Sequence, residues 1–188
     1  MARKYKSQLG AIPKIVNNFN PKTSNQNIFY NIIGDVDTQL ILCHGIAGTG
    51  KTYVSIYKAL QDVLRRGTPY NKLIIINPTV DVGNEDKLGF LPGELSAKIQ
   101  QYNESTFTIL DKIIGKDKAS KMINDGKLEI GVLNFLRGVN LENCYVILDE
   151  AQNVSPMQIK TLMTRISEDC KMIIQGDMSQ CDKFKANG

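Results

Sequence analysis

Five short apolar runs, separated by segments with helical spacing, constrain the fold of this chain more than any other feature of its sequence. The runs are T-Q-L-I-L-C at 38–43, K-L-I-I-I at 72–76, the segment 127–132, C-Y-V-I-L at 144–148 and K-M-I-I-Q at 171–175. Runs of this length are typical of strands that are buried on both faces of a parallel sheet. The pattern therefore predicts an α/β fold, with a mostly parallel sheet and helices on both faces.

The segments between the runs predict the helices. One begins at Thr23 or Ser24 and continues to about Ile33, and others cover 51–66, 94–125 with breaks near Asn103 and Gly115, and 156–166. The last has a proline in its first turn, where proline is tolerated. A length of 188 residues suits one α/β domain, which we assign to 23–188, with 1–22 as a separate arm.

A glycine-rich string, G-I-A-G-T-G-K-T, directly follows the first apolar run and precedes a predicted helix. It fits the phosphate-binding pattern G-x-x-x-x-G-K-[S/T], in which glycines let backbone N–H groups surround phosphate oxygens. Lys51 is expected to bridge the β- and γ-phosphates, and the Thr52 hydroxyl to bind Mg²⁺. The string consists of Gly45, Ile46, Ala47, Gly48, Thr49, Gly50, Lys51 and Thr52.

Two acids follow another apolar run in V-I-L-D-E, at 146–150. A strand that ends in an acid, after a phosphate loop, is typical of the carboxylate on the Mg²⁺ side of a P-loop site. Asp149 is expected to hold the metal through water. Glu150, its neighbour, is placed to activate the attacking water molecule.

A third polar string, I-I-Q-G-D-M-S-Q at 173–180, follows the last run. Gln180 is the candidate sensor of the γ-phosphate, although a simple turn at Gly176 is the better explanation of this stretch taken alone. All three strings follow strand ends, where ligands bind in open α/β sheets, so we expect one shared site. The sequence has no N-K-x-D string for reading guanine, and this favours ATP over GTP.

Charge is distributed unevenly along a chain of formal net charge +4. The first acidic residue is Asp35, so the basic residues of the arm have no local counter-charge. A basic arm can bind phosphate backbones, and it can also be a solvated tail. The basic residues of the arm are Arg3, Lys4, Lys6, Lys14 and Lys22.

The cysteine pattern bears on the compartment. The chain has four cysteines, and none of them form a C-x-x-C pair. This pattern argues against a zinc site or a disulfide framework, and it is typical of proteins in a reducing compartment such as the cytoplasm. No window approaches the ~20 apolar residues of a membrane span. We expect His44, at the end of an apolar run, to be a packing residue rather than a base or a ligand.

Six strings together resemble the PhoH-like family, whose ATPase core is similar to the first lobe of superfamily 1 helicases. They occur in the family's order over roughly 23–183. The resemblance implies a RecA-like P-loop NTPase fold. The strings are G-I-A-G-T-G-K-T at 45–52, L-G-F-L-P-G at 88–93, F-L-R-G at 135–138, I-L-D-E-A-Q-N at 147–153, T-R-I at 164–166 and Q-G-D-M-S-Q at 175–180.

The resemblance also implies roles for three glutamines. Gln26 lies where the family carries a glutamine that reads adenine, Gln152 matches the helicase D-E-x-Q box, and Gln180 matches the γ-phosphate glutamine. One departure is Asn77, since the family usually has Arg-Pro at this position. Family members usually continue beyond the third motif, so the chain is either a short member or a fragment.

An arginine is expected to stabilise charge on the γ-phosphate, because such a finger accelerates hydrolysis by ~10³-fold or more. The candidates are Arg137 and Arg165, each of which also fits an ordinary surface arginine. With no second lobe in the chain, a neighbouring subunit is expected to supply it. This implies a homo-oligomeric ring, with a hexamer as in family relatives.

Three functions fit these residues. The first is Mg²⁺-dependent ATP hydrolysis, coupled to RNA or single-stranded nucleic acid. The second is a nucleotide-dependent assembly switch with little turnover. The third, a kinase for a small acceptor, has no acceptor pocket or lid pattern to favour it.

Overall fold

The computed structural model describes residues 18–78, 103–131 and 141–180, and these contain a five-stranded parallel sheet. The strand order is β1-β5-β4-β2-β3, and every pairing is parallel. This confirms the predicted α/β class with a parallel sheet. The strands are β1 Leu40–His44, β2 Lys72–Ile76, β3 Leu128–Gly131, β4 Cys144–Leu148 and β5 Lys171–Gly176.

Five α-helices accompany the sheet in the described residues. They are α1 Ser24–Gly34, α2 Lys51–Leu64, α3 Glu104–Ile114, α4 Lys116–Asn124 and α5 Pro156–Met163, with short 3₁₀ turns at Ala151–Asn153 and Met178–Gln180.

Local chemistry explains where several helices begin and end. The Thr23 side chain accepts a hydrogen bond from the backbone N–H of Gln26, and Ser155 and Gln158 form a capping box at the start of α5. Gly115, with φ of 80°, separates α3 from α4 as the sequence predicted. Helix α5 ends at Met163, earlier than the predicted span 156–166.

The sheet packs a hydrophobic cluster on each face. One cluster joins α1, α2 and α3 to the sheet, and includes Ile56, Leu60 and Ile113. The other lies under α5 and includes Val146 and Leu162. The central strand β4 is buried throughout, as its uninterrupted apolar run predicted.

Strand β1 corrects two of the predictions. It was expected to be fully buried, yet Leu40, Leu42 and His44 are exposed along one face, with Leu42 72% exposed. Among the described strands β1 lies at the edge of the sheet, next to β5 alone, and the described helices leave this end of the face open. His44 is therefore exposed and is not a packing residue.

A buried polar cluster lies at the end of the sheet where strands β4 and β5 begin. The Tyr145 hydroxyl donates to Asp62 Oδ2 at 2.6 Å, and Lys58 Nζ donates to Asp62 Oδ1 at 2.7 Å. Lys171 is only 1% exposed, and its Nζ donates to the carbonyl oxygen of Ile33 at 2.7 Å. This cluster ties α1 and α2 to the two central strands, away from the glycine-rich loop.

Several predicted features lie outside the described residues: the arm up to residue 17, the strings at 88–93 and 135–138, and Arg137. Within the part of the chain that is described, no helix is long and apolar enough to cross a membrane.

Candidate functional site

The three polar strings meet at the carboxyl ends of the strands. The backbone N–H of Gly45 donates to the carbonyl oxygen of Gly176 at 3.2 Å. The Thr52 hydroxyl donates to Asp149 Oδ2 at 2.8 Å. The N–H of Ala47 donates to Asp177 Oδ2 at 2.7 Å. The loop at 45–52, the acidic strand end and the loop after β5 are therefore in direct contact.

The glycine-rich loop ends in a helix start that no side chain caps. Gly48 and Gly50 have φ values of 77° and 86°, which glycine adopts without a steric penalty. Gly50 is the N-cap of α2 and supplies no side-chain hydrogen bond, in contrast to Thr23 and Ser155 at the starts of α1 and α5. The cap residue thus offers the N–H groups at the start of α2 no side-chain acceptor, which suits them to bind an anion.

The lysine of the loop is folded back on the loop itself. Lys51 Nζ donates to the carbonyl oxygens of Gly45 at 2.7 Å and Ile46 at 3.0 Å. The Thr49 hydroxyl also donates to the Ile46 carbonyl, at 2.9 Å. The ammonium group lies inside the curve of the loop, and its partners are neutral carbonyls that a phosphate can replace.

A compact set of oxygen and amide groups surrounds the Thr52 hydroxyl. Asp149 is 7% exposed, and its Oδ1 accepts from the backbone N–H of Glu150 at 3.0 Å and from Gln175 Nε2 at 2.9 Å. Within the described ranges, no three side chains of His, Cys, Asp or Glu form a metal site. Mg²⁺ in nucleotide enzymes needs only one or two protein oxygens besides phosphates and water, and Thr52 with Asp149 fits that pattern.

Glu150 begins the turn after β4 in a left-handed conformation. Its φ is 48°, uncommon for a residue other than glycine and often found at functional sites. The exposed side chain accepts a hydrogen bond at Oε2 from Gln152 Nε2 at 2.6 Å. Gln152 Oε1 in turn accepts from the N–H of Asp177 at 3.0 Å. Gln152 therefore links the carboxylate of Glu150 to the loop after β5.

Asp177 joins that loop to the phosphate loop. Besides the Ala47 contact, its Oδ1 accepts from the hydroxyl of Ser179 at 2.6 Å and from the Ser179 N–H at 2.9 Å. These hydrogen bonds from Ser179 lower the pKa of Asp177, so the carboxylate stays charged at neutral pH. Gln180 is exposed in the following turn, and its N–H donates to the Asp177 carbonyl at 3.0 Å.

Gln26 also lies beside the phosphate loop, although it is distant in sequence. Its Nε2 donates to the carbonyl oxygen of Thr49 at 2.9 Å, and its Oε1 accepts from the N–H of Lys22 at 2.8 Å. The helix α1 thus places Gln26 at the rim of the loop.

Arg165 is not part of this cluster. It follows α5, and its carbonyl accepts from the N–H of Leu141, a few residues before β4 begins. This is the edge of the sheet opposite to the phosphate loop, roughly one strand length or 17 Å away. Arg165 therefore cannot act at the site of its own chain in this arrangement.

Two residues of the cluster were not singled out from the sequence. Gln175 and Asp177 both contact predicted site residues, yet the third string was read for Gln180 alone. The available signal for Gln175 was a polar residue at the end of an apolar run. That position is at the site only if β5 lies between β1 and β4, and strand order was not predicted.

Comparison of the whole sequence with known protein families agrees with this geometry. The sequence profile of the family described as "PhoH-like protein" matches residues 18–188. The chain belongs to the PhoH-like family. The resemblance drawn from the six strings is thereby confirmed.

Curated relatives carry the same description. A PhoH-like protein of Bacillus subtilis (strain 168) is 42% identical over 143 residues, which cover 76% of this chain and 44% of the relative. Protein PhoH of Escherichia coli (strain K12) is 36% identical over 146 residues, which cover 77% of this chain and 40% of the relative. The PhoH-like chain thus spans under half the length of these relatives.

Solved structures match the fold. The UvsW helicase from bacteriophage T4 aligns with a TM-score of 0.53 and 15% identity, over 96% of this chain and 61% of that one. A Sulfolobus solfataricus SWI2/SNF2 ATPase core, solved in complex with dsDNA, aligns with a TM-score of 0.51 and 17% identity, over 90% and 34%. The PhoH-like chain therefore has the fold of a P-loop domain of the helicase and ATPase type.

Proposed function

We propose that this PhoH-like domain binds ATP together with Mg²⁺ and hydrolyses it. The contact of 2.8 Å between the Thr52 hydroxyl and Asp149, beside the uncapped start of α2, is the observation that carries the proposal. It joins a helix end suited to phosphate with the oxygen groups that Mg²⁺ prefers.

The loop at 45–52 binds the triphosphate. Its N–H groups and the start of α2 donate to phosphate oxygens, and Lys51 exchanges the carbonyls of Gly45 and Ile46 for the β- and γ-phosphates. That exchange replaces two neutral acceptors with charged ones, which strengthens each hydrogen bond. Gln26, at the rim of the loop, reads the adenine base.

Thr52 and Asp149 would hold the metal ion. Bound Mg²⁺ neutralises charge that develops on the phosphate oxygens. The Thr52 hydroxyl donates a hydrogen bond to Asp149 Oδ2, and its oxygen, which accepts one from Gln175 Nε2 at 3.3 Å, keeps a second lone pair for a cation. Asp149 is oriented by two further donors, Gln175 and the N–H of Glu150.

Glu150 is the general base for hydrolysis. A water molecule attacks the γ-phosphorus, its proton passes to the Glu150 carboxylate, and the bond from the γ-phosphorus to the bridging oxygen breaks. Gln152 holds Oε2 of that carboxylate at 2.6 Å and limits its rotation. Gln180, in the exposed turn after Asp177, reaches the γ-phosphate once nucleotide is bound.

Glu150→Gln tests the assignment of the base. The amide keeps the size of the side chain but cannot accept the proton, so we expect turnover to fall by roughly 10² to 10⁴ while ATP binding persists. Glu168→Gln is the matched control, because Glu168 is exposed near the opposite edge of the sheet. The measurement is steady-state phosphate release beside calorimetric binding of ATP. Equal turnover in wild type and Glu150→Gln would refute the proposal.

The same assay separates hydrolysis from a nucleotide-dependent assembly switch. A switch binds ATP and changes its assembly, yet the wild-type protein then shows no turnover above that of Glu150→Gln. Consumption of ATP without an added acceptor also excludes a kinase for a small molecule. We favour hydrolysis because Glu150 has a left-handed backbone conformation directly after Asp149, the acid proposed to hold Mg²⁺.

Coupling to RNA or single-stranded nucleic acid is a further part of the proposal. The unbalanced basic residues of the arm supply the positive charge that a phosphate backbone requires. We expect single-stranded RNA or DNA to stimulate phosphate release several-fold, with a steep loss of stimulation as salt increases. Stimulation that is absent at low salt for both polymers would argue against this coupling.

We also propose a neighbouring subunit as the source of the arginine finger, in a homo-oligomeric ring such as a hexamer. Arg165 lies at the end of the strands opposite to its own site, and a head-to-tail contact between copies would bring it to the site of the next subunit. Arg137 is the other candidate. We place the domain in the cytoplasm, because its described cysteines are free thiols.

A further inference from the structure

Gln175 is a buried glutamine inside the candidate site. It lies near the end of β5, between the strand that leads into the phosphate loop and the strand that ends in Asp149. Gln175 is only 1% exposed. Its Nε2 donates to Asp149 Oδ1 at 2.9 Å and approaches the Thr52 hydroxyl oxygen at 3.3 Å. The amide thus touches both of the groups assigned to the metal ion.

The orientation of this amide follows from its partner. Asp149 presents carboxylate oxygens that only accept hydrogen bonds when ionised, so the nitrogen of the Gln175 amide must face it. The oxygen, Oε1, is then turned to the other side. Reversing the amide would place two acceptors against each other and would leave the nitrogen without its acceptor.

Gln175 Oε1 is a buried acceptor that has no hydrogen-bond partner among the described residues. Most buried polar atoms are satisfied, and an unsatisfied one lowers stability. A leucine would fill similar space without that penalty, and Asp149 Oδ1 would still accept from the N–H of Glu150. Packing therefore does not account for a glutamine here, and a partner that arrives with the ligand does.

We infer that Gln175 is a positioning residue for Mg²⁺. Its Nε2 fixes the Asp149 carboxylate beside the Thr52 hydroxyl, and its Oε1 is left for a hydrogen-bond donor that would arrive when the site is loaded. The inference rests on the proposed function. Mg²⁺ keeps several of its waters when bound beside nucleotide phosphates, and groups that orient the ligands of a metal commonly change its affinity by about 10- to 100-fold.

The test compares Gln175→Leu with Gln61→Leu. Gln61 is also a buried glutamine, but it lies in α2 away from the site, where its Oε1 accepts from the Tyr30 hydroxyl at 2.6 Å. For each protein, ADP binding is measured in EDTA and across a Mg²⁺ titration, and unfolding is measured in urea.

The two variants should give opposite results. Gln175→Leu should weaken the apparent affinity for Mg²⁺ by about tenfold or more, change ADP binding in EDTA by less than about twofold, and keep the wild-type urea midpoint or raise it. Gln61→Leu should lower the urea midpoint, because the Tyr30 hydroxyl loses its acceptor, and should leave Mg²⁺ affinity unchanged.

An apparent Mg²⁺ affinity in Gln175→Leu within about twofold of wild type overturns the inference, as does an equal loss in both variants. Should Gln175→Leu not fold, Gln175→Met, which keeps the length of the side chain, replaces it with the same expectations. A wild-type protein whose nucleotide binding does not respond to Mg²⁺ refutes the proposed function itself, so the two failures are distinguishable.

Discussion

Lys171 is a buried lysine that the fold makes easier to deprotonate. Its ammonium group is buried beside the rings of Tyr70 and Tyr145, at 5.9 and 5.8 Å from their centroids. Burial lowers its pKa to about 8, although Asp62 opposes this by favouring the charged form. Lys58, Asp35 and Asp37 also act on it, with Lys58 lowering the pKa and the two acids raising it.

The contribution of Lys171 to the stability of the domain should therefore rise as pH increases above 8. In this range the unfolded chain still binds the Lys171 proton, while the folded chain loses it, so this group favours the folded state more at higher pH. From a folded pKa of about 8 and an ordinary value of 10.5, this contribution to the free energy of unfolding should rise by about 1–2 kcal/mol between pH 8 and ~9.5.

Urea titrations at several pH values, on wild type and Lys171→Met, measure this effect. The window closes near pH 10, where tyrosines of the unfolded chain begin to ionise, while burial raises the pKa of Tyr70 and Tyr145 in the fold. Lys171→Met should lose this contribution, whatever its effect on overall stability, so the difference in unfolding free energy between wild type and variant should shift in favour of wild type as pH rises. A difference that does not change with pH would assign the titration to another group.

At the scale of elements, the turn after β4 and the loop after β5 behave as one unit. Gly176 packs against the turn so closely that an added Cβ would lie 2.5 Å from Gln152 Oε1 and 3.3 Å from the backbone nitrogen of Ala151. Gln152 connects that contact to Glu150 on one side and to Asp177 on the other. The position of the proposed base thus depends on the glycine that ends β5.

Gly176→Ala should clearly reduce turnover, while its urea midpoint should change little. The new methyl group must displace Gln152, and the displaced amide releases the Glu150 carboxylate, so we expect a fall in turnover of roughly tenfold or more. Gly34→Ala is the control, since its Cβ would meet only the end of the flexible Lys58 side chain, at 2.8 Å from Cε. Phosphate release and urea midpoints are compared for both. Wild-type turnover in Gly176→Ala would show that the two segments are independent.

The bounds of several strands were predictable from the sequence. The strands at 72–76 and 144–148 have the predicted bounds, because their apolar runs stop abruptly at polar residues. The burial of β1 was predicted wrongly, since an apolar run does not reveal that its strand lies at an edge. Gln175 and Asp177 were not predicted as site residues, because their contacts depend on β5 lying between β1 and β4.

At the scale of the whole molecule, groups of opposite charge lie at the two ends of the strands. The phosphate loop and the acids lie at the carboxyl ends, and Arg165 follows α5 at the opposite ends. A head-to-tail contact would bring the Arg165 end of one copy to the carboxyl ends of the next, and repetition of that contact closes a ring when the rotation allows it. One chain then supplies the base and its neighbour supplies the cation.

Mixing two inactive variants tests this sharing. Arg165→Ala lacks the finger and Lys51→Ala lacks its own site, so each alone should be nearly inactive. In mixed rings, the Lys51→Ala subunit lends Arg165 to an intact site, and random assembly at equal amounts should restore about a quarter of wild-type phosphate release. Full activity of Arg165→Ala alone would exclude Arg165 as the finger, and no recovery on mixing would exclude a shared site.

The most direct test is a structure determined with Mg²⁺ and a non-hydrolysable ATP analogue. We predict the triphosphate over 45–52, with Lys51 Nζ moved from the Gly45 carbonyl to the β- and γ-phosphates. The metal ion should lie on the Thr52 hydroxyl, with the Asp149 and Glu150 carboxylates facing the γ-phosphate. An analogue bound elsewhere, or carboxylates turned away from the γ-phosphate, would contradict the site proposed for this domain.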